Sequence, residues 1–269
     1  MTPAPALSAS PGRLAGAGRL LAVASGKGGV GKTWFSVSLA HTLARQGKKV
    51  LLLDGDLGLA NVDVQLSLLP AHDLSQVVAG QIPLSDAVTP YGAGGFDVIA
   101  GRSGGVNMAA TPAARFDDLL ADITELAGRY DHMILDLAAG IDPGVRRLIA
   151  EADTCLIVTT EEPTALTDAY SLIKVIARRQ PRANLRIVIN MASSQAAGER
   201  TYMTLRKACE EFLSLKPPLA GIIRADPHVS QAIRHQVGLF TRSPTCDAAS
   251  DVESISRRLL APDERASSS

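Results

Sequence analysis

The chain has 269 residues, no net charge at pH 7, and 46% hydrophobic but only 4% aromatic residues. A neutral chain carries no global field that would drive it to nucleic acid or acidic membranes, so strong nucleic-acid binding is not expected. An aliphatic core suits buried parallel strands covered by helices, in one large α/β domain or two small ones. Cys155, Cys209 and Cys246 show no metal-ligand spacing, which favours incidental thiols and a reducing, cytoplasmic compartment.

Both ends of the chain are predicted to be disordered. Residues 1–18 are rich in Ala, Pro, Ser and Gly, and residues 261–269 form a polar tail. The start lacks the basic stretch of a signal peptide, and no run approaches the roughly 20 apolar residues of a membrane helix. The folded domain is therefore assigned to residues 19–260.

A glycine-rich motif follows the first predicted strand. Residues 20–24 read as a short buried strand, and residues 34–45 carry apolar side chains at helical spacing. Between them, GKGGVGKT at 26–33 fits the phosphate-binding loop pattern. Glycines let backbone N–H groups turn toward a phosphate, and a helix N-terminus favours negative charge there. The nucleotide-binding residues predicted here are Gly26, Lys27, Gly28, Gly29, Val30, Gly31, Lys32, Thr33 and Trp34.

Three residues of this motif receive separate interpretations. Lys32 is predicted to reach the β- and γ-phosphates of ATP, and the Thr33 hydroxyl is predicted to ligate Mg²⁺. Lys27 occupies a position where the general motif allows any residue. It is either a solvated loop charge or the second lysine of a deviant phosphate-binding loop, and the loop alone leaves both interpretations open.

Acidic residues follow two further buried strands. Residues 50–54 read as a strand that runs into Asp54 and Asp56, and residues 132–136 as a strand that ends in Asp136. Open α/β sheets bind ligands at the carboxyl ends of their strands. Asp136 fits the Walker B pattern and is predicted to hold Mg²⁺ through water, the plainer alternative being a helix cap. Asp54 is assigned to the same water shell, and Asp56 to a functional role.

The rest of the chain alternates strands and helices. Strands are predicted at 96–100, 154–160, 185–189 and 219–223, and helices near 73–79, 84–88, 116–127, 163–179, 196–213, 227–236 and 247–260. Thr111 and Pro112 mark a helix start. The alternation predicts a doubly wound, mostly parallel sheet with helices on both faces. The histidines show no metal spacing, and His228 and His235 are expected to be exposed helix positions.

Together these motifs resemble those of the MinD/ParA-type P-loop ATPases and, within them, the flagellar-number regulators of the FlhG/FleN type. Two stretches are shared across the superfamily: GKGGVGKT at 26–33 and LDLAAGID at 135–142. Two others point to the flagellar branch: DGDLGLANVDV at 54–64 and EEPTALTDAYSLIKV at 161–175. The resemblance also includes NMA at 190–192 and DPHVSQAIRHQ at 226–236.

The resemblance implies a set of residue roles. Lys27 would cross a dimer interface to the partner's nucleotide, and Asp56 would position the water that attacks the γ-phosphate. Asn190 would recognise adenine through its amide, and Asp226 lies in the adenine-side loop. The implied protein is an ATP-sandwich homodimer that uses ATP and Mg²⁺, with Lys27, Lys32 and Asp56 as catalytic residues.

The function implied by the resemblance is an ATP-dependent dimerising switch with slow ATPase activity that regulates flagellar number. It would restrain a flagellar transcription activator or contact flagellar assembly proteins, in the cytoplasm or transiently at the membrane or cell pole. Two alternatives stay open. One is a ParA/MinD-like partitioning or positioning ATPase, and the other is an ATP-binding module that never hydrolyses its nucleotide.

Four features depart from the family pattern. Leu137 stands where Thr or Ser usually follows the Walker B Asp, and Arg224 replaces the usual Pro before Asp226. The first 45 residues contain no Asp, Glu or Gln, so they cannot hold the activator motif that some members use on the flagellar GTPase FlhF. The tail is polar where many relatives have a membrane-binding helix. The apolar stripe within 252–260 is expected to pack on the domain, with little or no membrane binding.

Overall fold

The computed structural model describes residues 19–56, 58, 60–101 and 112–261. The predicted disordered ends at 1–18 and 261–269, apart from residue 261, and the predicted cap at Thr111 lie outside these residues and stay predictions. The strands are β1 (Arg19–Ala24), β2 (Val50–Gly55), β3 (Val88–Tyr91), β4 (Phe96–Ile99), β5 (His132–Leu137), β6 (Thr154–Thr159), β7 (Leu185–Ala192) and β8 (Leu219–Arg224). The helices are α1 (Lys32–Arg45), α2 (Val62–Leu66), α3 (Leu74–Val78), α4 (Ala113–Ala127), α5 (Pro143–Glu151), α6 (Pro163–Arg179), α7 (Gln195–Leu213), α8 (Pro227–Arg234), α9 (Leu239–Arg242) and α10 (Asp247–Leu260), with a 3-10 turn at Leu84–Ala87.

The described strands form one sheet in the order β3-β4-β2-β5-β1-β6-β7-β8. Neighbouring strands are parallel except β3 and β4, which pair antiparallel at one edge. The chain extends from β1 toward β2 and β4 on one side and toward β6, β7 and β8 on the other, so the order reverses at β1. This arrangement confirms the predicted doubly wound α/β fold. A ligand crevice is expected at the carboxyl ends of the strands beside such a reversal.

Apolar layers cover both faces of the sheet. Within β1, Leu20 and Ala22 enter one layer, whereas Leu21 and Val23 enter the other. Helices α3 to α7 complete the first layer, and α1, α2 and α8 to α10 complete the second. Because both faces are buried, the central strands are mostly apolar, with Asp54 and Asp136 near the carboxyl ends of β2 and β5, and this pattern makes them recognisable in the sequence.

Several described elements are absent from the sequence-based prediction. Strand β3 contains Pro90, which argues against a strand in the sheet interior, and its edge position explains why proline is tolerated. Helix α5 has 9 residues and begins at Pro143. Helices α2 and α9 have 5 and 4 residues. Such short helices contain too few turns for their apolar spacing to stand out.

The last helix packs on the domain, as predicted for its apolar stripe. Val252, Ile255 and Leu259 are between 0 and 5% exposed and belong to the same apolar layer as α1. Among the helices of the described ranges, none has the length and apolar character needed to cross a membrane.

Candidate nucleotide-binding site

The glycine-rich loop joins the end of β1 to the start of α1, as its motif predicts. Gly31 is the N-cap of α1 and adopts a left-handed conformation with φ of 84°. A Cβ at Gly31 would lie 2.3 Å from Asn190 Nδ2, and a Cβ at Gly26 would lie 2.2 Å from the Asp168 carbonyl oxygen. Neither position has room for a side chain, so glycine is required at both.

The start of α1 is open to an anion. No side chain among the described residues caps this helix, and its first turn contains no acid. Its first backbone N–H groups and its dipole therefore favour a phosphate. Thr33 is half-buried in this turn. Trp34 is 4% exposed and its ring packs in the second apolar layer, so the predicted contribution of this residue to the site is through its backbone.

Lys32 and Asp136 form a buried ion pair. The distance from Lys32 Nζ to Asp136 Oδ1 is 2.8 Å, and the side chains are 9% and 0% exposed. Ser36, one turn along α1, donates to the same oxygen at 3.0 Å. The other oxygen, Asp136 Oδ2, is buried and accepts no hydrogen bond from the described residues. A buried carboxylate oxygen of this kind is costly unless it finds a partner, and it suits the water shell of Mg²⁺.

The segment after β5 lies against the glycine loop. The Gly140 N–H donates to the Ser25 carbonyl oxygen at 2.9 Å. Leu137, at the position where the family pattern has a hydroxyl, is 0% exposed and belongs to the first apolar layer. The leucine is therefore accommodated by the core.

Asp54 lies beside Asp136 because β2 and β5 are parallel neighbours in register. Asp54 Oδ1 accepts the Asp56 N–H at 3.1 Å, and Oδ2 accepts the N–H groups of Asn61 and Val62 at 3.0 and 3.1 Å. Burial, and then the charge of Asp136, raises the pKa of Asp54 to about 7 despite these hydrogen bonds. Asp54 thus organises the turn after β2 and holds the backbone of Asp56 beyond the strand end.

Lys27 makes its contacts within its own chain. Its Nζ lies 2.7 Å from Glu162 Oε2 and donates to Thr164 Oγ1 at 2.9 Å. Glu162 is the N-cap residue of α6, and Thr164 lies in the first turn of that helix. Sequence reasoning missed both partners. They fall within the stretch at 161–175 that carries the resemblance, but no spacing rule connects them to a lysine 135 and 137 residues away.

Asn190 holds the glycine loop in place. It is 2% exposed, and its Nδ2 donates to the Val30 carbonyl oxygen at 2.8 Å. Its neighbour Met191 has a φ of 54° and is 46% exposed. Adenine recognition by Asn190 stays a prediction, and one N–H of its amide is already used by the loop.

The loop after β8 is tied to two helices. Asp226 Oδ1 accepts the His228 N–H at 2.9 Å, and Oδ2 accepts the Ala248 N–H at 3.1 Å. Burial alone would raise the pKa of Asp226, but the hydrogen bonds lower it to about 2. Arg224, at the usual proline position, makes a bidentate pair with Asp251 of α10, with both N–O distances at 2.9 Å. A role for Asp226 beside adenine stays a prediction.

Comparison with known proteins identifies the family. Residues 21–239 match the CobQ/CobB/MinD/ParA nucleotide binding domain. The chain belongs to this family. It is 35% identical over 241 residues to the Antiactivator FleN of Pseudomonas aeruginosa. The aligned region covers 90% of this chain and 86% of FleN. It is 28% identical to the Flagellum site-determining protein YlxH of Helicobacter pylori, over 90% of this chain and 82% of YlxH. These relatives support the predicted FlhG/FleN-type branch.

Solved structures share the fold. The cell division ATPase MinD of Pyrococcus furiosus has a TM-score of 0.75 and 24% identity, covering 90% of this chain and 98% of MinD. MinD of Pyrococcus horikoshii, solved in complex with Mg-ADP, has a TM-score of 0.74 and 22% identity, covering 93% of this chain and 97% of that one. At these identities the similarity shows the fold alone, and it confirms the predicted P-loop architecture.

Proposed function

We propose that this chain is an ATP-dependent dimerising switch with slow ATPase activity that regulates flagellar number. The observation that carries the proposal is a glycine loop with two lysines, each bound to its own carboxylate: Lys32 to Asp136 and Lys27 to Glu162. The flagellar part rests on the 35% identity with Antiactivator FleN. By that similarity, the ATP-bound dimer would restrain a flagellar transcription activator or contact flagellar assembly proteins.

The residues at the start of α1 fit ATP and Mg²⁺. The helix start is uncapped by described side chains, and the Thr33 hydroxyl is an oxygen ligand of the kind that Mg²⁺ takes. The buried Asp136 Oδ2 would hold the ion through a water of its shell. When bound, Mg²⁺ would supply charge that offsets the β- and γ-phosphates. Lys32 would give up its contact with Asp136 for the phosphates, while Ser36 keeps the carboxylate oriented.

Lys27 is proposed to exchange partners when the dimer forms. Within one chain, Glu162 neutralises its ammonium group, so reaching a second nucleotide requires breaking the 2.7 Å contact and the hydrogen bond to Thr164. An exposed ion pair contributes only about 0–1 kcal/mol. A triphosphate carries more negative charge than one carboxylate and can therefore displace Glu162. ATP would in this way favour the dimer.

Asp56 is the proposed positioner of the attacking water. It follows β2 directly, and its backbone N–H is bound to the buried Asp54 carboxylate. A carboxylate that orients water contributes to the transition state more than to ground-state binding of ATP. Its loss is therefore expected to remove turnover and leave the ATP complex intact.

Two substitutions with opposite expected phenotypes test the switch. Lys27→Ala should bind ATP yet stay monomeric, whereas Asp56→Ala should accumulate an ATP-bound dimer because hydrolysis no longer dissolves it. Size-exclusion chromatography with light scattering in Mg-ATP measures both outcomes. Lys207→Ala, which changes an exposed lysine of α7, is the matched control and should behave like the wild type. If Lys27→Ala and Asp56→Ala both dimerise like the wild type, Lys27 is only a loop charge and the switch is contradicted.

The two rival functions make different predictions. A ParA-like partitioning ATPase should bind nonspecific DNA in a salt-dependent way, and the net charge of zero gives no support to such binding. A non-hydrolysing module should release no phosphate from ATP under any condition. If the wild type releases phosphate and Asp56→Ala does not, the result would instead support a switch whose dimer is dissolved by ATP hydrolysis.

The flagellar assignment is testable in the source organism. Deletion of the gene is expected to increase the number of flagella per cell, because an antiactivator would be missing. The wild-type gene should restore the normal number, and Lys32→Ala should not, since Lys32 is proposed to hold the phosphates. An unchanged number of flagella in the deletion strain would contradict this assignment and leave the biochemical switch untouched.

A further inference from the structure

Three side chains of the types that ligate metals converge where α8 and α10 begin. One ligand atom each from Asp226, His228 and Cys246 lies within 4.8 Å of the other two. Asp226 and Cys246 are the N-cap residues of α8 and α10, and His228 lies in the first turn of α8. His228 is exposed, as the sequence predicts, but its two neighbours are not evident from spacing along the chain.

We propose that Asp226, His228 and Cys246 form a Zn²⁺ site. A carboxylate, an imidazole and a thiolate are the ligand types that zinc takes, whereas Mg²⁺ and Ca²⁺ prefer oxygen alone. Bonds of about 2.0–2.3 Å in a tetrahedral centre put neighbouring ligand atoms roughly 3.5 Å apart. The ligand atoms of the cluster lie within 4.8 Å of one another, so side-chain rotations would be needed to reach that spacing. Three protein ligands leave a fourth position for water or another ligand.

One member of the cluster is held firmly and the others can adjust. The backbone N–H groups of His228 and Ala248 hold the two oxygens of Asp226, at 2.9 and 3.1 Å, and this side chain is only 6% exposed. Donors of this kind orient a ligating carboxylate. The His228 ring is 48% exposed, and its Nδ1 lies 2.8 Å from Asp226 Oδ1. Rotation of the exposed ring separates these two atoms enough to admit a metal.

The charge around the cluster is compatible with a dication. Arg224, two residues before Asp226, is paired with Asp251 and with Asp247 at 2.9 and 3.1 Å. Its positive charge is therefore offset by two carboxylates. Asp247 itself follows Cys246 directly, so it adds negative charge beside the thiol.

Zinc at this site would connect the start of α8 to the start of α10. Asp226 already accepts a backbone hydrogen bond from each of these helices. On binding, the Cys246 thiol loses its proton, and His228 binds as the neutral ring through Nδ1 with its own proton on Nε2. Metal binding at this site therefore releases protons. This site goes beyond the proposed switch, since it requires neither ATP nor a second chain.

Metal titration of the full chain tests the site. Without nucleotide and with excess Mg²⁺, Co²⁺ should produce a thiolate-to-cobalt charge-transfer band that Zn²⁺ removes. Zn²⁺ should also raise the melting temperature and release protons. Cys246→Ser should abolish the band. His228→Gln should weaken Zn²⁺ binding by about tenfold or more, because loss of a group that only orients a ligand already costs about 10–100-fold.

His235→Gln changes an exposed histidine at the other end of α8 and should bind metal like the wild type. Circular dichroism shows whether each variant is folded. The proposal is overturned if folded wild-type protein gives no charge-transfer band, or if Cys246→Ser keeps it. ATP binding and dimer formation are measured separately, so failure of the zinc site is distinguishable from failure of the switch.

Discussion

Gly31 and Gly28 belong to the same loop but have different surroundings. A Cβ at Gly31 would meet Asn190 Nδ2 at 2.3 Å in a backbone with φ of 84°, whereas a Cβ at Gly28 would meet nothing within 4 Å. We expect Gly31→Ala to lower the free energy of unfolding by about 2–3 kcal/mol, through backbone strain and loss of the Asn190 hydrogen bond. Gly28→Ala should change it by less than about 0.5 kcal/mol. Urea titration measures both, and equal values would contradict the argument.

His41 is a titratable residue in the core. It lies on α1, with ring centroids of Phe96 and Phe240 at 6.1 and 5.5 Å, and it is 6% exposed. Burial, and then the charge of Arg45, lowers the pKa of His41 to about 4. The unfolded chain binds this proton near pH ~6.5. The stability contributed by neutral His41 is therefore fully present above pH ~6.5. It is lost as the pH falls toward about 4, the pKa of His41 in the folded protein.

Replacement of His41 should remove this pH dependence. Between pH ~7 and ~4, the wild type is expected to lose on the order of 2 kcal/mol more stability than His41→Leu, after allowance for partial solvent screening. Urea unfolding at a series of pH values measures the difference. His235→Gln, at an exposed position, should keep the slope of the wild type. Parallel curves for the wild type and His41→Leu would show that His41 is not the group responsible.

At the scale of secondary-structure elements, Arg224 joins the end of β8 to α10. Its guanidinium is bidentate on Asp251, and its backbone N–H donates to the same carboxylate at 3.0 Å. Arg224→Ala is expected to lower the free energy of unfolding by about 1 kcal/mol. In a double-mutant cycle, its effect and that of Asp251→Asn should not be additive. Arg257→Ala is the control: it removes an exposed ion pair with Glu253 one helical turn away, and should lower the free energy of unfolding by less than about 0.5 kcal/mol. Absence of coupling would mean that packing alone connects the two elements.

At the scale of the whole molecule, the surface available to a membrane depends on where α10 packs. Val252, Ile255 and Leu259 are buried against the sheet and α1, and exposing such side chains costs about 1.5–3 kcal/mol each. We therefore expect the protein in Mg-ATP not to sediment with anionic liposomes. A chain shortened by residues 262–269 separates any effect of the tail from that of α10. ATP-dependent sedimentation of both forms would contradict the prediction.

The sequence by itself determined the fold class and the candidate phosphate site. Both depend on patterns that are local in the chain. The glycine spacing, the apolar strand before it and the helix after it occupy one continuous stretch at 19–45. Asp54 and Asp136 each close a buried strand, and parallel strands align such ends at one edge of the sheet. Short-range patterns were enough because each element forms where its own residues favour it.

Only the tertiary structure decided which distant residues meet at and around this site. Lys27 with Glu162, Asn190 with Val30, and Asp226 with Cys246 are pairs brought together by the order of the strands and the packing of helices on them. The same applies to β3, whose proline is tolerated because the strand lies at the edge. Spacing along the chain carries no signal for such contacts, since their geometry exists only after the sheet has formed and both of its faces are covered.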